Sequence, residues 1–264
     1  MSNELLVEKI GKVAKITINR PEARNAMNHA VIVGLHEAFD ALEQDDDVSV
    51  IVIGGKGEKA FTAGFDLKES AGASLTDIVE RRKDTAYENS LWHKVWKCTK
   101  PIITMIHGYT IGGGITLAML SDMVFAGDNL KLGNPEVKLG YVPSFPVAAY
   151  KLPYCRIREL YLLTDFKGAD ELKEWGFINR VFPYEKLEEE TMKLAQEITK
   201  IPLFSLQMCK QDIQRIYENQ GFASSMEYAT EMFNLARIHM INTNDFGKGI
   251  AEKGLKETLK ERYE

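Results

Sequence analysis

Two short apolar runs, Val48-Ser49-Val50-Ile51-Val52-Ile53 and Ile102-Ile103-Thr104-Met105-Ile106, restrict the folds open to this chain more than any other feature. Neither alternates apolar with polar residues, so neither is a strand with one face in water. Runs of this kind suit parallel strands covered on both faces. Parallel neighbours need crossovers, and the intervening segments supply helices, which gives an α/β core. Asn28 is suited to cap a helix whose apolar face runs Ile32, Leu35, Phe39, Leu42. Leu5–Lys9 and Val13–Ile18 read as alternating strands turning at Gly11-Lys12, and Met123–Ala126 as another strand. A polar helical stretch is expected from about Ser74 to Lys97. After Glu185 strand signals stop, and helical patterns cover 186–199, 203–218, 222–240 and 246–262. The chain therefore divides into an α/β part, residues 1–190, and a helical part, residues 191–264.

The 264 residues carry a net charge of −5, which argues against a protein whose main business is coating nucleic acid. Three cysteines, Cys98, Cys155 and Cys209, lie far apart without CxxC spacing and read as reduced thiols. The first residues mix charge and apolarity too early for a signal peptide, and no apolar run approaches a membrane span. A cytoplasmic location is the expectation.

Two loops place glycine where a strand ends. One is Phe61-Thr62-Ala63-Gly64-Phe65-Asp66-Leu67-Lys68; the other is Gly108-Tyr109-Thr110-Ile111-Gly112-Gly113-Gly114. A strand that enters glycines and then a helix exposes unpaired backbone N–H groups at the positive end of the helix dipole. It also lets a ligand approach the main chain with no Cβ in the way. Neither loop is a dinucleotide fingerprint or a P-loop. Each loop alone is also what a tight packing turn would look like.

Taken with Asn19-Arg20-Pro21-Glu22-Ala23-Arg24-Asn25-Ala26-Met27 and Gly133-Asn134-Pro135-Glu136, the two loops resemble the enoyl-CoA hydratase/isomerase (crotonase) superfamily, in order and spacing, from about residue 5 to 185. The resemblance implies a spiral of ββα units with a C-terminal helical trimerisation region, a homotrimer or homohexamer, and an acyl-CoA thioester as substrate. It implies an oxyanion hole from the N–H groups of Phe65 and Gly113, with Glu136 as acid/base. Contacts to coenzyme A would come from Arg24, the backbone at Ala63 and Asp66, Lys68, and Lys256 near the C-terminus. No separate cofactor or metal is implied, because coenzyme A arrives as part of the substrate.

The sequence departs from the standard hydratase pattern at two places. Where such enzymes carry a first glutamate, two residues after the triple glycine, this chain has Thr116. A threonine cannot act as a base near neutral pH, though it can hold a water or a substrate hydroxyl. A single glutamate resembles instead Δ3,Δ2-enoyl-CoA isomerases, or specialised hydratases and hydratase-lyases of the hydroxycinnamoyl type. Second, Val142-Pro143-Ser144-Phe145-Pro146 replaces the family's glycine-rich stretch, which implies a bulkier pocket wall and an unusual acyl group. Trp92 and Trp96, four apart, read as a packed stripe, with a place in the acyl pocket as the other reading. The five histidines lack metal-ligand spacing. Arg81-Arg82-Lys83 reads as a solvated face. It is also the one candidate for an RNA-binding helix, a rival reading that stands beside that of a fold which has lost its activity.

Overall fold

The computed structural model describes residues 3–72, 77–243, 249 and 252–263. The expected helix start at Ser74 and part of the 246–262 pattern lie outside the described residues.

Two sheets are threaded alternately. The larger, in spatial order β1-β2-β3-β5-β7-β9, contains β1 (Leu5–Ile10), β2 (Val13–Ile18), β3 (Val50–Gly55), β5 (Ile102–Ile106), β7 (Met123–Gly127) and β9 (Arg180–Phe182). The smaller is β4 (Ala60–Thr62), β6 (Tyr109–Ile111) and β8 (Lys131–Gly133). β1 and β2 pair antiparallel, and every other pair in either sheet is parallel. Each turn of chain gives one strand to the large sheet, one to the small sheet and then a helix, as in β5, β6 and α4 (Gly113–Leu120). That is a spiral of ββα units.

The apolar runs are continuous because β3 and β5 are covered on both faces. Ile51, Ile53, Ile102 and Ile106 join the main core with Leu35, Phe39 and Leu42 of α1 (His29–Glu43). Val50, Val52, Ile103 and Met105 face the other way, onto Leu187 and Ala195 of α8 (Tyr184–Ile198). Asn28 caps α1, its Oδ1 accepting from the Val31 N–H at 3.0 Å. The boundary expected near residue 190 falls inside α8, which packs on the large sheet.

A short helix α2 (Leu67–Gly72), not expected from the sequence, precedes α3 (Ile78–Lys97). Between α4 and α8 lie α5 (Ala148–Lys151), α6 (Tyr154–Leu162) and α7 (Ala169–Glu174). The tail forms α9 (Leu203–Asn219), α10 (Phe222–Thr243) and α11 (Leu255–Tyr263). α10 packs along α3, and α11 rests on the 3-10 turn Pro135–Leu139. The two tryptophans are core residues: Trp96 stacks on Phe222 with centroids 4.2 Å apart, and Trp92 meets Phe65 edge-on at 6.0 Å. Arg81 corrects the solvated-face expectation, because it is 2% exposed on the inner side of α3. Only Arg82 and Lys83 face outward, paired with Glu231 and Glu80.

Candidate active site

The first loop is shaped by hydrogen bonds that begin far upstream. Arg24 and Asn25 both have positive φ, which turns the Arg24 carbonyl onto the Ala63 N–H at 2.9 Å. The fully buried Asn25 amide donates to the carbonyls of Lys56 (2.9 Å) and Ala60 (2.7 Å) and accepts from the Arg20 N–H (2.9 Å). Thr62 Oγ1 donates to the Asn25 carbonyl at 2.6 Å and accepts the Gly64 N–H at 3.1 Å. The Gly64 carbonyl takes the Met27 N–H, and the Asp66 N–H reaches back to the Met27 carbonyl. Phe65 is left between two used amides, its own N–H donating to no backbone or side-chain acceptor among the described residues. Gly64 has φ +83, and a Cβ there would lie 2.9 Å from the Ile111 carbonyl oxygen and 3.5 Å from the Gly113 nitrogen. Both conformation and proximity therefore require glycine.

The second loop arrives from the other side. Gly112 precedes α4 with φ +52 and ψ −112, and Gly113 is the first helical residue, so its N–H has no acceptor within the helix. A Cβ on Gly113 would sit 3.3 Å from the Phe65 ring, so the two loops touch. A Cβ on Gly112 would sit 2.7 Å from Glu136 Oε1. The fold thus gathers Phe65, Gly113 and Glu136, which lie far apart in sequence.

Glu136 stands in the 3-10 turn Pro135–Leu139, opened by Pro135 and closed by Gly140 at φ +93. Its Oε2 is enclosed with no hydrogen-bond partner among the described residues, and burial pushes the carboxyl up to about 7. That places a carboxylate able both to take and to give a proton near neutrality at the glycine turn. The Tyr161 phenol is raised as well, first by burial and then by the Glu136 charge. Thr116 lies one helical turn after Gly113 and directs its hydroxyl to the Phe145 carbonyl at 3.5 Å. Phe145 packs its ring against His93 (5.0 Å) and Phe222 (6.0 Å).

The residues expected to meet coenzyme A lie on separate segments of the chain. Arg24 is exposed with its guanidinium 5.4 Å over the Tyr109 ring, and Lys68 is exposed at the start of α2. The Ala63 and Asp66 N–H groups are both used inside the chain, and the Asp66 carboxylate pairs with Arg20 at 3.1 Å. Lys256 is exposed on α11, the helix that rests on the Glu136 turn. The sequence reading missed Asn25, Thr62 and Arg20 as the groups that hold the first loop. The pattern Arg20-Pro-Glu-Ala-Arg-Asn25 was the signal for Arg20 and Asn25, whose partners lie up to 46 residues away, and Thr62 gave none, because its partner Asn25 is 37 residues away.

A spiral of ββα units with two touching glycine turns beside a half-buried glutamate defines a class, and comparison with known proteins agrees with the fold. The sequence profile described as enoyl-CoA hydratase/isomerase matches residues 8–264. A probable mitochondrial enoyl-CoA hydratase of Dictyostelium discoideum is 35% identical over 217 residues, covering 80% of this chain and 75% of that protein. A probable enoyl-CoA hydratase of Mycobacterium bovis is 32% identical, covering 94% and 93%. Among solved structures, an enoyl-CoA hydratase/isomerase from Xanthobacter autotrophicus Py2 superposes with a TM-score of 0.94 at 28% identity, covering 100% of this chain and 98% of that one. The chain belongs to the enoyl-CoA hydratase/isomerase family of enzymes.

Proposed function

We propose that the protein acts on an unsaturated acyl-CoA thioester. The N–H groups of Phe65 and Gly113 hold the thioester oxygen, and Glu136 is the single acid/base. The observation that carries this reading is the contact between the two glycine loops with the Glu136 carboxyl lying against Gly112. Two fixed donors stabilise the enolate oxygen that forms as the α-carbon loses or gains a proton, and one such donor is worth about 3–4 kcal/mol of barrier. Glu136, poised near 7, accepts the proton in one step and returns it in the next. Because the Ala63 and Asp66 N–H groups are engaged, coenzyme A meets that stretch through carbonyls, with Arg24 and Lys68 toward its phosphates. Lys256, exposed on α11, is the remaining cation assigned to coenzyme A. Coenzyme A belongs to the substrate, and no dissociable cofactor enters.

Thr116 decides among the family's reactions. Its hydroxyl can position a water or a substrate oxygen, but it supplies no second carboxylate to orient an attacking water. Δ3,Δ2-isomerisation, or hydration of an acyl group already activated by conjugation as in hydratase-lyases, therefore suits the site better than hydration of crotonyl-CoA. The RNA-binding reading loses its helix, because Arg81 is buried and its two neighbours are engaged in ion pairs. Apolar side chains stand exposed on α9, with Phe204 at 70% and Ile213 and Ile216 at 57% each, and they suit burial between copies in a homotrimer. Larger assembly into a hexamer is compatible with the same faces.

The test is a panel of 2-enoyl and 3-enoyl-CoA thioesters, followed by absorbance of the conjugated thioester. Turnover of 3-enoyl or aromatic-conjugated thioesters with slow crotonyl-CoA hydration is expected. Crotonyl-CoA hydration at the rate of a two-glutamate hydratase would end the single-base reading, and no turnover of any thioester would end the enzymatic one. Among the described residues no helix is long and apolar enough to cross a membrane.

A further inference from the structure

The inner face of α3 is unlike that of a helix needed only for packing. At one-turn intervals it presents Arg81, Thr85, Asn89 and Trp92, all 4% exposed or less. Against it α10 sets Asn234, 1% exposed, and Arg237, 9% exposed. Thr85 donates to Asn234 Oδ1 at 2.8 Å, which fixes the amide so that its Nδ2 is left as a donor. That Nδ2 and the Trp92 indole Nε1 are enclosed and have no hydrogen-bond partner among the described residues. The Arg237 guanidinium lies 4.9 Å over the Tyr141 ring. The cluster is thus rich in donors and in positive charge.

Among the described residues, the Asp84 and Glu88 carboxylates face it. Asp84 pairs with Arg81 at 3.3 Å but is 46% exposed. Glu88 is half-buried, and burial followed by the Asp84 charge pushes it up to about 7, against the pull of Arg237 and Arg81. At neutral pH a substantial fraction of Glu88 is uncharged, so it offsets the Arg237 guanidinium only in part.

The cluster borders the candidate active site through three contacts. The Tyr141 N–H donates to the Glu136 carbonyl at 3.2 Å. Trp92 packs edge-on against Phe65. Asn89 accepts from Ser144, whose neighbour Phe145 receives the Thr116 hydroxyl. Buried donors without acceptors are expensive, and plain alkyl groups would leave them so. A carboxylate supplies several lone pairs and a negative charge in one group.

We propose that Arg237, Asn234 and Trp92 form the far end of the acyl pocket and select an acyl group ending in a carboxylate, so that the substrate is the CoA monothioester of a short unsaturated dicarboxylic acid. The proposal rests on the acyl-CoA reading of the site and adds the chemistry of the acyl end.

The test compares glutaconyl-CoA with 2-pentenoyl-CoA, in which a methyl replaces the carboxylate, by kcat/KM, and glutaryl-CoA with pentanoyl-CoA by Kd. The wild type is expected to prefer the carboxylated thioester by roughly a hundredfold or more, because the neutral one leaves the donors unpaired. In Arg237→Met the ratio of the two kcat/KM values should collapse toward one. If that variant does not fold, Asn234→Leu should lower the same ratio by about tenfold, the range for a lost hydrogen bond to a charged group. Equal use of the two thioesters by the wild type, or a ratio unchanged in the folded variant, overturns the proposal. Should neither unsaturated thioester turn over, the binding pair still decides. Tighter binding of glutaryl-CoA sustains the carboxylate pocket, and equal or weaker binding removes it. Binding of neither removes both readings.

Discussion

Replacing Glu136 with glutamine separates what this residue does for chemistry from what it does to the fold. Its carboxyl is pushed from 4.5 to about 7 by burial. At 1.36 kcal/mol per pH unit, this difference disfavours the ionised native state by about 3 kcal/mol. The native state holds the proton more tightly than the unfolded chain, so the penalty is absent below the unfolded value of 4.5 and complete above about 7. Wild-type stability should therefore fall across that window relative to Glu136→Gln. For a chain of this size the gap in melting temperature between variant and wild type should widen by up to about 6–10 °C from pH 4.5 to pH 8. Taking the change in the gap, rather than the gap itself, cancels the pH-independent penalty of enclosing an amide. In the same variant kcat should drop by at least about 10²-fold, because the amide cannot accept a proton. Thermal melts of both proteins across the pH range, with turnover of the best thioester found, supply the measurements. Parallel melting curves would show that Oε2 is not desolvated as the structure has it. A variant keeping more than about a tenth of kcat would show that another group moves the proton.

Gly112→Ala should place a methyl 2.7 Å from Glu136 Oε1 at φ +52, displacing the carboxyl; kcat is expected to fall about 10²-fold, a positional loss, with the fold retained by circular dichroism. Unchanged kcat would mean that the carboxyl is not held against this turn. Ile213→Glu with Ile216→Glu, both on the exposed face of α9, should shift the protein to a smaller species in sedimentation, whereas an unchanged sedimentation coefficient would place any subunit interface elsewhere.

Much of the fold was legible because long elements repeat their instruction at every residue. Ile51 to Ile53 and Ile102 to Ile106 read as strands buried on two sides, and α1 announced both its cap and its face. The three-residue strands β4, β6 and β8 escaped, since three residues hold no period and their pairing is set by the strands beside them. α2 is likewise too short to show a face. Arg81 was misread because a run of basic residues between acids looks solvated in one dimension. On the helix its neighbours point outward while it alone turns inward to α10.

What the sequence determined by itself was local: where strands end in glycine, which turns tolerate positive φ, and that a carboxylate follows Pro135 while Thr116 follows the triple glycine. The resemblance then named Phe65, Gly113 and Glu136 together, but nothing local to any of them explains why they meet. Tertiary structure decided that, by laying β4 beside β6 so that Gly64 approaches Gly113, and by setting Glu136 against Gly112. It also decided the proton affinity of Glu136, which depends on how much water the surrounding chain excludes rather than on any neighbour in sequence. The donor-rich face between α3 and α10 arose the same way, from residues some 150 positions apart whose polarity acquires meaning only once both helices are buried against each other.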